Sequence, residues 1–156
     1  MNRFVLHEDP KVAAEHHCDK HVVKMILEEG QMLSTVHRLH GYEGDELYKA
    51  THKNHPCTKW AGESRENYEW AYSLFEALCH EYIFRYGKIH KTSRLLEPLW
   101  AIPAGIPDVP MTPIPQAMPD DVKVDGEPIM AYRSYYKVHK ARFAKWSVRE
   151  VPFWWE

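Results

Sequence analysis

The segment from His17 to Leu39 constrains this chain more than any other. Laid on a helix at about 3.6 residues per turn, His17, His21, Lys24, Glu28, Gln31, Thr35 and Arg38 fall at steps of three and four along one polar stripe. The remainder is mostly apolar: Val22, Val23, Met25, Ile26, Leu27, Met32, Leu33, Val36 and Leu39. A surface helix shows the opposite proportion, with a narrower apolar face toward the core. The helix is therefore expected to lie deep in the fold, its stripe facing an enclosed hollow or internal partners. A carboxylate, an ammonium and imidazoles gathered there would form an acid/base site, with Glu28, His21 and Lys24 as its candidates. The plainer reading is a solvated face, on which an exposed Lys24–Glu28 pair contributes about 0.3 kcal/mol.

Local signals place the other elements. Asp9-Pro10 reads as a helix start, a capping carboxylate before proline, with a short helix to about His17. Asp19 is expected to cap the long helix and Gly41, after His40, to stop it. Gly30 inside that helix costs about 1 kcal/mol relative to Ala, so a neighbour or ligand is expected to approach closely there. Residues 3–7 read as an extended segment with no strand partner, and residues 41–55 as loop. Asn54-His55-Pro56 opens a helical stretch through Trp60. Ser64 to Tyr86 is a second long helix, closed by Gly87, and 89–100 a short one interrupted or ended at Pro98.

Seven of the eleven prolines lie between Ile102 and Met130, which excludes helix and inner strand. The apolar Ile102, Ile106, Val109, Met111, Ile114 and Met118 suit an extended strap packed over the helices. A last helix is expected from Ala131 to about Val148. Together these features predict an all-α fold: a compact helical bundle, one domain over residues 1–156, with a proline-rich strap and an aromatic tail.

The formal net charge of −2 gives no global attraction to polyanions, so nucleic acid would have to meet a local patch. The last helix offers one. Arg133, Lys137, Lys140, Arg142, Lys145 and Arg149 interleave with Tyr132, Tyr135, Tyr136, Phe143 and Trp146, and Trp154-Trp155 follow. Cations there would grip phosphate, and aromatic planes stack on unpaired bases at about 1–3 kcal/mol each. The alternative is a solvated helix whose aromatics are core. Three scattered cysteines, Cys18, Cys57 and Cys79, read as reduced thiols. With no long apolar run and no leader, a cytoplasmic location without membrane contact is expected. His17 and His21, four residues apart, could share a metal ion with His52, His55, Cys18 or Cys57. No CxxC pair or HExxH motif supports this, and neither metal nor other cofactor is expected. Gly-rich phosphate loops and the GxSxG elbow are absent.

The order of short motifs carries a resemblance. Asp19-x-His21 is followed seven residues later by Glu28, and then come Asn54-His55-Pro56 and a long helix ending in Arg85-Tyr86-Gly87. Ile114-Pro115-Gln116 lies in the irregular stretch, before the basic helix and Trp-rich tail. In this order the chain resembles the pyrimidine-dimer DNA glycosylases of the endonuclease V type from T-even phages and their bacterial relatives. It also resembles small phage proteins grouped with them. The resemblance implies a compact, nearly all-helical single domain that needs no metal; the expected partner is damaged or modified DNA, or a nucleotide, and the expected state a monomer, in a bacterial host cell if phage-encoded. It implies cleavage of the glycosidic bond at ultraviolet photoproducts, then a lyase step that nicks the strand. Glu28 would stand for the essential carboxylate, stabilising the cationic sugar and moving protons, and His21 would line the same site. Trp154 and Trp155 would lie against the lesion, and the basic helix would hold a bent backbone with a base flipped out.

One departure bears on the nucleophile. In the family it is the α-amine freed by removal of the initiator Met, which requires a small second residue. Asn2 stands there and should leave Met1 in place. The attacking amine is then that of Met1, or of Lys24 or Lys20 with a depressed pKa, or the lyase chemistry is absent. Two other classes remain open. One is a phage-encoded module that holds a nucleotide, nucleic acid or host protein without chemistry. The other is a metal-dependent hydrolase using His17, His21 and a partner from His52, His55 or Cys57.

Overall fold

Two long helices carry the fold in the computed structural model, which describes residues 1–156. The elements are α1 (Pro10–His16), α2 (Asp19–Leu39), α3 (Pro56–Ala61), α4 (Arg65–Tyr86), α5 (Leu96–Trp100) and α6 (Pro128–Tyr135). Tight 3-10 turns lie at Lys91–Leu95 and Asp120–Val122, a wide turn of π type at Tyr136–Lys140, and there is no strand. The fold is all-α, as the sequence predicts.

Local chemistry sets most of the boundaries. The Asp9 carboxylate accepts from the Lys11 amide at 2.9 Å to open α1. His55 Nδ1 accepts from the Cys57 amide to open α3, and Ser64 Oγ from the Asn67 amide to open α4. Gly87, at φ 65°, closes α4 by donating to Ile83. At α2 the cap differs from expectation. Cys18 precedes the helix without a side-chain cap, and Asp19 lies one residue inside. Its carboxylate accepts instead from Arg85 and from the Ser147 amide, tying α2 to α4 and to the carboxyl-terminal segment.

Helices α2 and α4 pack through Val22, Ile26 and Leu33 against Tyr68, Leu74, Phe75 and Leu78, within one cluster of 27 buried residues running from Phe4 to Trp154. Gly30 makes the close approach expected of it: a Cβ there would lie 2.6 Å from Thr92 Cγ2. The helix is less deeply embedded than its composition suggests, because Val23, Leu27 and Leu39 are exposed. The 91–95 turn and α5 continue one another, and Pro98 sits in the first turn of α5 without ending it.

Residues 3–7 form no strand. Arg3, Phe4, Val5 and Leu6 are all buried, laid as irregular chain over the helices. The strap is irregular as read, with Ile106 buried and Ile102, Ile114 and Met118 packed on the core, but Val109 and Met111 face solvent. The last helix is shorter than expected. It starts at Pro128, loses α geometry after Tyr135 and ends at Lys140, so Arg142, Lys145 and Arg149 lie beyond it. No helix is long and apolar enough to cross a membrane.

Candidate active site at the amino terminus

Consecutive residues on α2 receive the amino-terminal segment. The Glu29 side chain is almost wholly buried and takes Arg3 in a two-point ion pair, Nε–Oε1 2.6 Å and Nη2–Oε2 2.5 Å. The same guanidinium donates to the Cys57 carbonyl at 2.7 Å and lies over the Trp60 ring. Burial and Glu29 act in opposite senses on Arg3, whose pKa ends above its usual value. Asn2 is stapled to the strap, donating to Ala117 O at 2.8 Å and accepting from the Arg3 amide at 2.7 Å.

With Arg3 and Asn2 fixed, the chain's own amine arrives beside Glu28. The Met1 nitrogen lies 3.5 Å from Glu28 Oε1, and the Asn2 amide donates to the same oxygen at 2.9 Å. Lys24, one helical turn earlier, brings Nζ to 3.7 Å from Oε2 while remaining mostly exposed. The Glu28 side chain is only 10% exposed. Sequence reasoning thus named Glu28, Lys24 and Met1, which the fold does bring together. It missed Arg3 and Glu29, whose signal was a second carboxylate next to Glu28 and a lone cation near the amino end.

The stripe does not open into the enclosed hollow expected of it. Of seven surface cavities, the five main ones, of about 250–640 Å³, are lined by other residues. The amino-terminal segment itself covers this part of α2, and Glu28 meets solvent at its edge. His21 does not face that edge. Its ring is 2% exposed, stacked on Phe4 at 4.5 Å and hydrogen-bonded through Nδ1 to the Tyr136 hydroxyl at 2.7 Å. Burial and the surrounding His17, Lys140, Lys24 and Lys20 push its pKa down to about 2. It is a neutral packing group below the pair.

Lys24 and Lys140 are close enough to act on each other and on the carboxylate. Lys20 lies over the Phe143 ring at 4.7 Å and Lys140 over Tyr135 at 4.7 Å. Lys140 is pushed below its usual pKa by burial and by Lys24 and Arg142. His55 is likewise lowered by burial and then by the amino-terminal charge. Other members of the expected basic face are elsewhere. Arg133 is turned inward, donating to Leu6 O and lying over Phe153 and Trp154. Arg149 pairs with Glu81 at 2.8 Å and reaches Glu15, while Lys137 and Lys145 are exposed.

The tryptophans of the aromatic tail are also core rather than bare surface, while Phe153 is exposed. Trp146 and Trp154 are buried, their indole N–H groups donating to His16 O and His16 Nδ1, and Trp155 is half-buried against Trp146. Tail indoles at a chain end can therefore be spent on closing the fold. His17 and His21 are not joined by a third ligand: His17 Nδ1 is bonded to Ala13 O, and no three His, Cys, Asp or Glu side chains are placed to hold a metal.

Residues 1–94 match the family described as pyrimidine dimer DNA glycosylase. The matched span includes the amino-terminal segment and helices α1 to α4, and with them both members of the amine–carboxylate pair. No curated protein and no solved structure matches the chain.

Proposed function

The chain belongs to the pyrimidine dimer DNA glycosylase family, and we propose that it excises the damaged base with the Met1 α-amine as nucleophile and Glu28 as the carboxylate working beside it. The observation that carries this is the 3.5 Å approach of the amine to a shielded carboxylate. An amine within about 4 Å of a carboxylate has a proton acceptor at hand and a fixed negative charge to offset the cationic sugar. Lys24 is the second amine in reach, but its exposed ammonium lacks the burial that activates a lysine nucleophile.

The amine lone pair forms a bond to C1′ of the damaged nucleotide. The glycosidic C1′–N bond breaks, and its electron pair leaves with the base, which takes a proton. That proton comes from the attacking nitrogen by way of Glu28; the remaining nitrogen lone pair then opens the C1′–O4′ bond, O4′ takes a proton from water, and a protonated imine results. Abstraction of a C2′ proton by Glu28 then expels the 3′ phosphate, breaking the strand. Lys20, Lys24, Lys140 and Arg142 would hold the flanking phosphates, with Lys137 and Lys145 further out. His21 supports Phe4 and so acts as a positioning residue. The single buried cluster supports one domain over residues 1–156.

Borohydride reduction in the presence of ultraviolet-irradiated or abasic duplex tests this reading. A covalent adduct on the amino-terminal peptide is expected, retained in Lys24→Ala, with turnover abolished in Glu28→Gln. An adduct on Lys24 would reassign the nucleophile. DNA binding with no adduct on either substrate would leave a binding module without chemistry.

A further inference from the structure

A ridge of exposed aliphatic side chains on α2 and on the turn braced against it has no role in the reaction above. Val23 and Leu27 are bare on α2, and Ile89, 80% exposed, stands at the tip of the turn after Gly87. Exposed aliphatic groups on adjoining elements mark a contact surface more often than isolated ones do. The turn is braced against α2. The Tyr86 hydroxyl donates to Asp19 O at 2.9 Å, the His90 imidazole reaches the Val23 backbone, and Thr92 packs on Gly30. Ile89 is thus presented on a fixed support.

Charge says what covers the ridge. Lys20 and Lys24 border it on the α2 side, and the exposed Lys88 and Lys91 flank Ile89 on the turn. Leu27 precedes Glu28 on α2, about 100° round the helix, so the aliphatic groups and the candidate pair share one helix. Four ammonium groups straddling an apolar ridge complement a polyanion with an apolar interior, which is duplex DNA. A second copy of this chain would set these cations against one another.

We infer that Ile89, backed by Leu27 and Val23, is a wedge that enters the base stack beside the lesion while the lysine pairs hold phosphates on either side. Apolar wedges unstack base steps in this way and kink the duplex, and an enzyme acting at C1′ of a stacked nucleotide needs the stack opened. This inference rests on the glycosylase reading above and names the device that gives the pair access to its substrate.

The test uses the full chain and a short duplex carrying one cyclobutane pyrimidine dimer, with 2-aminopurine opposite the lesion. The wild-type protein should brighten the fluorophore on binding, and Ile89→Ala should remove most of that signal. Excision from the duplex should fall about tenfold or more, while trapping on a single-stranded abasic site stays within about twofold of wild type. Ile89 touches little, so unchanged thermal unfolding in the variant excludes misfolding. Equal brightening by wild type and Ile89→Ala, with trapping intact, overturns the wedge and leaves the glycosylase reading standing. Ile89-dependent brightening without any trapping keeps the wedge and removes the chemistry. Self-association that depends on Ile89, with no effect on the fluorophore, assigns the ridge to a second copy and overturns the inference.

Discussion

Replacing Arg3 by Met tests how the amine is delivered to Glu28. Arg3 and Glu29 are each about 2% exposed and share a two-point contact. Removing the cation leaves a buried carboxylate without its partner, a loss of about 3–5 kcal/mol. At about 2–4 °C per kcal/mol for a chain of this size, the melting temperature should fall by roughly 6–20 °C. The pH dependence has a definite sign. Burial already raises the Glu29 pKa above its usual value, and Arg3 opposes that rise. In the variant the opposition is gone, so the folded-state pKa moves further above the unfolded one. Such a carboxyl contributes stability below its unfolded pKa and loses it as pH rises through the folded value. The deficit should therefore be smallest in mild acid and largest at neutral pH. Arg3→Met combined with Glu29→Leu removes both charges and should recover most of the stability. Its amine has lost the Arg3 anchor, and displacement by about 1 Å costs up to about a hundredfold in rate. Trapping by the double variant should accordingly stay at least about tenfold slow. Thermal unfolding across pH and borohydride trapping measure the two effects separately. A loss under about 1 kcal/mol in Arg3→Met, or wild-type trapping in the double variant, would refute the reasoning.

Two further outcomes follow from burial. Gly30→Ala gains about 1 kcal/mol in helix propensity, but its Cβ would meet Thr92 Cγ2 at 2.6 Å, and Thr92 is buried and bonded to the Tyr48 hydroxyl. Overpacking at about 1–3 kcal/mol should win; Thr92→Ser removes the obstructing methyl and should rescue it, and a Gly30→Ala single variant with a higher urea midpoint than wild type would contradict this. Burial lowers His17 to about 4 and His21 to about 2. The unfolded chain therefore binds protons on these two groups below about pH 6.5 while the folded chain does not, so stability falls with pH by up to about 2–3 kcal/mol per unit. Urea midpoints measured from pH 7 to pH 5 should decline steeply; a flat profile would mean that the two rings are open to solvent in the folded protein.

Four helix ends were legible because a cap or a stop acts within a few residues. Asp9, His55, Ser64 and Gly87 each bond within four positions of where they stand. Gly30 was legible for a related reason, since a helix that tolerates the cost of Gly is making room for something. The fate of longer side chains was not legible. Arg133 and Trp154 read as surface groups reaching for DNA, yet their partners are Leu6 O and His16 Nδ1, 127 and 138 residues away. A basic, aromatic stretch has the same period whether its cations face solvent or an inward carbonyl. The Lys88 and Lys91 pair was passed over because it lies in a turn, where periodicity says nothing about direction.

Glu28 was legible as a group in need of a partner, but not the partner itself. Successive helical residues point about 100° apart, so Glu28 and Glu29 present their carboxylates in different directions. Alternate residues of extended chain lie at most about 7 Å apart, and Arg3 stands two residues after Met1. The two spacings fit one another: seating Arg3 on Glu29 leaves the amine over Glu28 and leaves little freedom for any other register. The buried Phe4, Val5 and Leu6 then hold the segment from behind. A chain end is normally the most mobile part of a protein, and three buried residues and a buried ion pair are what convert this one into a placed amine. The placement of the amine thus belongs to the packing of residues 3–6 as much as to the pair itself.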